Sequence, residues 1–291
     1  MSLIPQWKVP TGLGGRWGFD ETATPRWLLV GHRESKAMLL DFAPGKIVKS
    51  VNQHIAAVSD GGMEGQSRFF MIEGKSPGRT HVEVRDPKTN ALQSLLAVRV
   101  KKERKFRISF HFVEDKGGNK TVHQPGIVDN LIDDLNNIYQ SQTNIMFELW
   151  GAGELKLDFH LISGITEGWD AKKKEWTGDG TIAPKDLWNK VFATKGDRSA
   201  DFNIYLIPAD QPVNTNDTLI FTDLDNCIIE DGRQSLVYAV AHAVGRMLGC
   251  PITSDPNKMN QLMFWDPGIG SNFFSRSDDF IPKHCANIMN P

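Results

Sequence analysis

The sequence predicts a multidomain α+β protein, with an all-β sandwich at the N-terminus followed by an α/β domain. Three observations carry this. The chain has 291 residues, too many for one small domain and suited to two of ordinary size. Up to about residue 102 it consists of short apolar runs separated by turn chemistry, the signature of many short strands. Beyond that point alternating strands are interleaved with segments whose apolar residues recur every three or four positions, as amphipathic helices require.

The strands of the first part are expected at Trp27–Val30, Ala37–Phe42, His54–Val58, Phe69–Ile72, Thr80–Val84 and Leu95–Val100. The turns between them are Ala43-Pro44-Gly45, Asp60-Gly61-Gly62, Ser76-Pro77-Gly78 and Asp86-Pro87 leading to Asn90, combinations that punctuate sheets. Val82 and Val84 alternate with polar neighbours, which gives a sheet one wet face. The charged run Lys101–Lys105 reads as a linker. After it, Phe106, Ile108, Phe110 and Phe112 alternate with polar residues in a half-buried strand. Pro125 opens a helix whose stripe is Ile127, Leu131, Leu135 and Ile138. Strands follow at Ile145–Leu149, at Leu155–Leu161 by strict alternation, and at Phe202–Ile207. Gln234–Leu248 is the strongest helix in the chain.

Charge excludes several function classes. Thirty-three Lys and Arg stand against 35 Asp and Glu, a net charge of −2, so no global basic field holds nucleic acid. The longest apolar stretch, Leu236–Leu248, is broken by His242 and Arg246 and is too short to span a bilayer; no membrane insertion is expected. The N-terminal residues lack the basic and apolar regions of a signal peptide. A soluble protein is expected, cytoplasmic or exported by a signal-independent route. Three cysteines, Cys227, Cys250 and Cys285, leave one unpaired, which suits a reducing compartment.

Gly74–Val100, in which a Pro-Gly turn precedes a Thr/Val strand, a polar turn and a final strand, resembles the closing hairpin of bacterial immunoglobulin-like domains. The resemblance implies an Ig-like β-sandwich over residues 1–102.

In the second part the decisive segment is Val240-Ala241-His242-Ala243-Val244-Gly245-Arg246-Met247-Leu248-Gly249. Positions 242 and 246 lie one turn apart on the same helix face, the spacing at which two side chains converge on one metal in His-Glu-x-x-His helices. Residues 103–291 resemble the metzincin clan of zinc metallopeptidases, whose extended motif ends in a third His and a Met-turn. His242 stands at the first ligand position, Ala243 at the general base, Arg246 and Ile252 at the second and third ligand positions, and Gly249 at the motif glycine. Asn260–Phe264 resembles the Met-turn stretch, with Met263 as its methionine, and Ser275–Ile288 the clan's C-terminal helix. The resemblance implies a zincin-like α/β domain whose chemistry has been lost. Ala243 has no carboxylate, and a guanidinium cannot shed its proton. At about 4 Å and an effective dielectric near 20, Arg246 would repel a dication by about 8 kcal/mol. Arg246 is therefore expected in the vacated metal space, paired with a nearby carboxylate, with no zinc bound and His242 as a remnant ligand.

Other residues invite weaker readings. Cys250 is either a reactive thiol or, more simply, a buried structural cysteine. His284 and Cys285 could join His242 at a metal, but adjacent helix residues point in different directions. Asp223 and Asp225 are either a carboxylate pair or a turn. Trp169, Trp176 and Trp188 are either an aromatic binding loop or a buried one.

The leading expectation is a pseudopeptidase whose former cleft binds a protein or peptide partner, because in the clan substrate lies extended along an edge strand, a form of strand addition. The alternatives are a zinc metallopeptidase-like secreted effector or toxin, inactivated here or using other metal ligands, and a structural module of a secretion or particle assembly.

Overall fold

A computed structural model describes residues 4–11, 17–42, 44–161, 169–170, 175–176, 191–193, 199–208, 220–231, 235–253, 262–263 and 281–289. The architecture is multidomain α+β. The chain divides into two compact units: Met1–Arg104 with Asn136–Met146 and Asp279–Pro291, and Lys105–Leu135 with Phe147–Asp278.

In the first unit lie β1 (Gln6–Lys8), β2 (Phe19–Asp20), β3 (Arg26–Gly31), β4 (Ser35–Asp41), β5 (Ile47–Ser50), β6 (Ala56–Glu64), β7 (Ser67–Gly74), β8 (Gly78–Arg85) and β9 (Leu92–Lys101). They form two sheets, ordered β1-β4-β7-β6 and β2-β3-β9-β8-β5. The strand pairs are antiparallel except β3 with β9, which run parallel. Alternation decides which side chains meet. Met38, Leu40, Phe70 and Ile72 from one sheet and Leu28, Val30, Val82, Val84, Leu96, Val98 and Val100 from the other share one apolar cluster. Trp7 is fully buried in it, edge-on to Phe70 with ring centroids 5.7 Å apart, a favoured geometry for aromatic pairs.

Each of the six expected strands of this unit overlaps an observed one; β6 begins at Ala56, with His54 and Ile55 in the turn before it, and two further adjustments are needed. Asp60-Gly61-Gly62 does not turn the chain; it lies inside β6, where the register against β7 shifts between Asp60 and Gly62. A bulge uses the same residues as a turn, and Gly62 takes φ +101° there. The Lys101–Lys105 linker is only two residues, Lys102 and Glu103, between β9 and the next strand. Lys101 itself is buried, because its ammonium donates to the Ala286 carbonyl.

The next elements are β10 (Arg104–Glu114), α1 (Val128–Thr143, after a 3-10 turn Pro125–Ile127), β11 (Ile145–Lys156), the short pair β12 (Trp169–Asp170) and β13 (Glu175–Trp176), β14 (Phe202–Ile207), β15 (Ile220–Asp223), β16 (Asn226–Glu230), α2 (Leu236–Met247) and α3 (Lys283–Met289). One five-stranded sheet has the order β11-β10-β14-β16-β15. β10, β14 and β16 are parallel and β15 is antiparallel to β16. β14 is buried along its whole length, Asn203 included, as a strand inside a sheet covered on both faces is. The separate strand expected at Leu155–Leu161 is absent. β11 instead runs on for 12 residues to Lys156, and Leu155, Leu157 and Leu161 reach a core cluster with Val113 and Tyr205 from strand end and loop.

α1 buries Leu131, Leu135 and Ile138 of its expected stripe. Of the expected C-terminal helix, residues 283–289 are helical, and 275–280 lie outside the described residues. Among the described residues no helix is long and apolar enough to cross a membrane.

Candidate functional site

Helix α2 is apolar on nearly all sides. Residues Ala239 through Gly245 are all buried, and the helix packs against β15 and β16. Its end is fixed by a Schellman motif: the Gly249 amide bonds to the Arg246 carbonyl and the Cys250 amide to the Gly245 carbonyl, both at 2.9 Å. That motif requires a left-handed residue after the cap, and Gly249 supplies φ +88°.

His242 is fully buried. Its Nδ1 lies 3.0 Å from the Leu262 carbonyl. A carbonyl can only accept, so Nδ1 carries the proton of the neutral ring. Burial pushes the imidazole down to about 4; the Leu262 bond opposes this and the Arg246 charge adds to it. Leu262 and Met263 are both buried, and the Met263 carbonyl accepts the Thr253 amide at 2.9 Å. Leu262 thus lies against the helix through the His242 side chain, and Met263 against Thr253, beyond the end of the helix, through one backbone hydrogen bond.

The remaining motif positions do not converge on a metal. Ala243 is fully buried among apolar neighbours, whereas Ile252 is 41% exposed. Arg246 is half-buried, and its charge acts on His242 and on the Cys227 thiol. The expected carboxylate partner is absent among the described residues: the titratable group beside Arg246 is the Cys227 thiol. Burial pushes the Cys227 thiol up, so this group stays neutral and supplies no counter-charge. Among the described residues no group of three His, Cys, Asp or Glu could hold a metal. Among the described residues this helix face offers one imidazole beside a permanent cation.

The weaker readings resolve as follows. Cys250 is buried, and Cys227 is a buried free cysteine. His284 is exposed on α3. Asp225 sits in the two-residue turn between β15 and β16, accepting from Asn226 Nδ2 at 2.8 Å. Trp169 and Trp176 pair across β12 and β13, while Trp188 lies outside the described residues.

One cluster had no signal in the sequence. Asp231, the residue after β16, is buried and accepts the Thr121 hydroxyl and the Val122 amide, each at 2.7 Å. His123 Nε2 lies 3.5 Å from the same carboxylate. Burial pushes the Asp231 carboxyl up against these bonds. Beside them a cavity of about 380 Å³ opens at the carboxyl end of β10, lined by Phe112, Glu114, Lys120, His123 and Glu154 among others. Only the position of an acid directly after a buried parallel strand could have pointed there.

No family model matches the chain, and no curated protein matches it. Solved structures that match include surface layer protein SbsC, domains 1–6, at 15% identity and TM-score 0.24, over 27% of this chain and 12% of that one. The S-layer protein SbsC domains 4 and 5 match at 16% identity and TM-score 0.22, over 25% of this chain and 46% of theirs. The chain spans less than half the length of each.

Proposed function

We propose that residues 103–291 carry a zincin-like domain of metzincin type that has lost its metal, and that it holds an extended peptide segment of a protein partner along β15 without cutting it. On this reading residues 1–102 form an Ig-like sandwich, and no metal cofactor is needed. The observation that carries it is the position of β15. It is the antiparallel end strand of a sheet whose neighbour β16 leads toward α2, and α2 packs on both strands. An end strand offers a row of backbone donors and acceptors to an incoming segment. Leu224, at the tip of the same hairpin, is 85% exposed and gives that segment an apolar contact. The chemistry for cleavage is missing: position 243 has no carboxylate, and the cation at 246 opposes a metal.

The test is hydrogen exchange on the full chain with an unfolded probe, reduced casein, and mass spectrometry of the casein afterwards. Strand addition predicts slowed exchange at 220–223, weakened by Leu224→Asp, with casein intact. No protection at β15 overturns the binding reading. Casein cleavage that a chelator abolishes overturns the loss of catalysis and favours the hydrolase.

A further inference from the structure

β8 and β9 place three cations together on the outer face of their sheet. Arg79 and Arg99 are direct cross-strand partners, a juxtaposition that destabilises a sheet unless something offsets it. Lys101 follows Arg99 by two residues and so shares its face, opposite to the side on which Val82, Val98 and Val100 enter the core. The charges that act on Lys101 are Arg99, Arg79 and Arg104, and the one that acts on Arg99 is Arg79; no carboxylate is among them. Lys101 uses a donor on the Ala286 carbonyl, which satisfies a hydrogen bond but leaves its charge uncompensated. The Arg99 Nε is buried and has no hydrogen-bond partner among the described residues, and a buried donor left unmade is costly. Arg79 is exposed, so the corner is open to a ligand. Glu83, further along β8, is engaged with Arg85 at 2.8 Å.

We propose that this corner binds a tetrahedral dianion, a phosphoryl group in its simplest form, gripped by Arg79 and Arg99 and held in the field of Lys101. Guanidinium forks match such oxygens with paired hydrogen bonds. A dianion offsets both guanidinium charges, where a carboxylate offsets one; it also favours the charged form of Lys101, which burial and the neighbouring cations hold down to about 7. Binding would also give Arg99 Nε an acceptor.

The test is isothermal titration and thermal melting of the full chain with inorganic phosphate, against sodium chloride at equal ionic strength. The expected result is a saturable heat and a rise in melting temperature with phosphate only. Arg99→Gln weakens binding about tenfold, or about 1.4 kcal/mol. Arg79→Glu turns the repelling pair into an ion pair, so that variant keeps its fold without phosphate and loses the response to it. A phosphate monoester run in parallel assigns the source: tighter binding than inorganic phosphate means a group carried on a larger molecule, and equal binding means the free ion. Affinities unchanged in both variants, or a phosphate response no larger than that of chloride, overturn the proposal.

Discussion

The buried imidazole of His242 makes the stability of its unit sensitive to acid in a defined window. The ordinary histidine value is 6.5, and in the folded chain burial lowers it to about 4. Between these values the unfolded chain takes up a proton that the native ring refuses. Stability therefore falls as pH drops from about 6.5 to about 4, and the loss is complete below that. At about 1.4 kcal/mol for each pH step of one, the loss is about 3 kcal/mol, a large share of an ordinary domain's stability. His242→Asn isolates this contribution. An asparagine amide can reproduce the donation to the Leu262 carbonyl, now made by Nδ1 at 3.0 Å, but it does not titrate. Urea denaturation followed by circular dichroism at pH 7.0, 5.5 and 4.5 gives the slope for each protein. The wild-type chain should lose roughly 2.4 kcal/mol more than the variant across that range, the remainder coming below pH 4.5. Equal slopes would refute the argument, because the difference between the two proteins removes every other group that titrates there.

Two further outcomes follow from the same physics. Gly249→Ala places a side chain at φ +88° and should cost about 1 kcal/mol or more in urea denaturation; a neutral result would mean that the α2 terminus relaxes at no cost. Lys36 is buried in β4, donates to the Trp17 carbonyl at 2.8 Å, and is held down to about 7 by that burial, with Glu34 opposing. Its native pKa lies below the ordinary 10.5, so the unfolded chain binds the extra proton between pH 7 and 10.5 and stability should rise with pH there. Lys36→Met should remove that rise, measured as the change in denaturation midpoint between pH 7 and 9.5.

Periodicity made the strands and helices legible, because alternation and the three-to-four spacing are what burial itself requires. It could not say that Asp60-Gly61-Gly62 continues a strand, since a glycine pair serves a bulge as well as a turn, and only the register against β7 distinguishes them. Nor could it tell that Leu155 belongs to β11 while Leu157 and Leu161 are not in a strand: alternating leucines reach the same core from a loop. The helix motif was legible for the same reason that it was incomplete. One side chain at position 242 is readable by spacing, but the environment that decides its chemistry comes from distant segments, Leu262 above all. Asp231 illustrates the limit. Its partners Thr121 and Val122 are about 110 residues away in sequence, and nothing local to Ile228-Ile229-Glu230-Asp231 marks this acid from its neighbour. Fold patterns are local and repeat, so they survive in sequence as rhythm. Polar sites are assembled by the ends of parallel strands, where each contributor arrives once, and their logic becomes visible only when the sheet has brought those ends together.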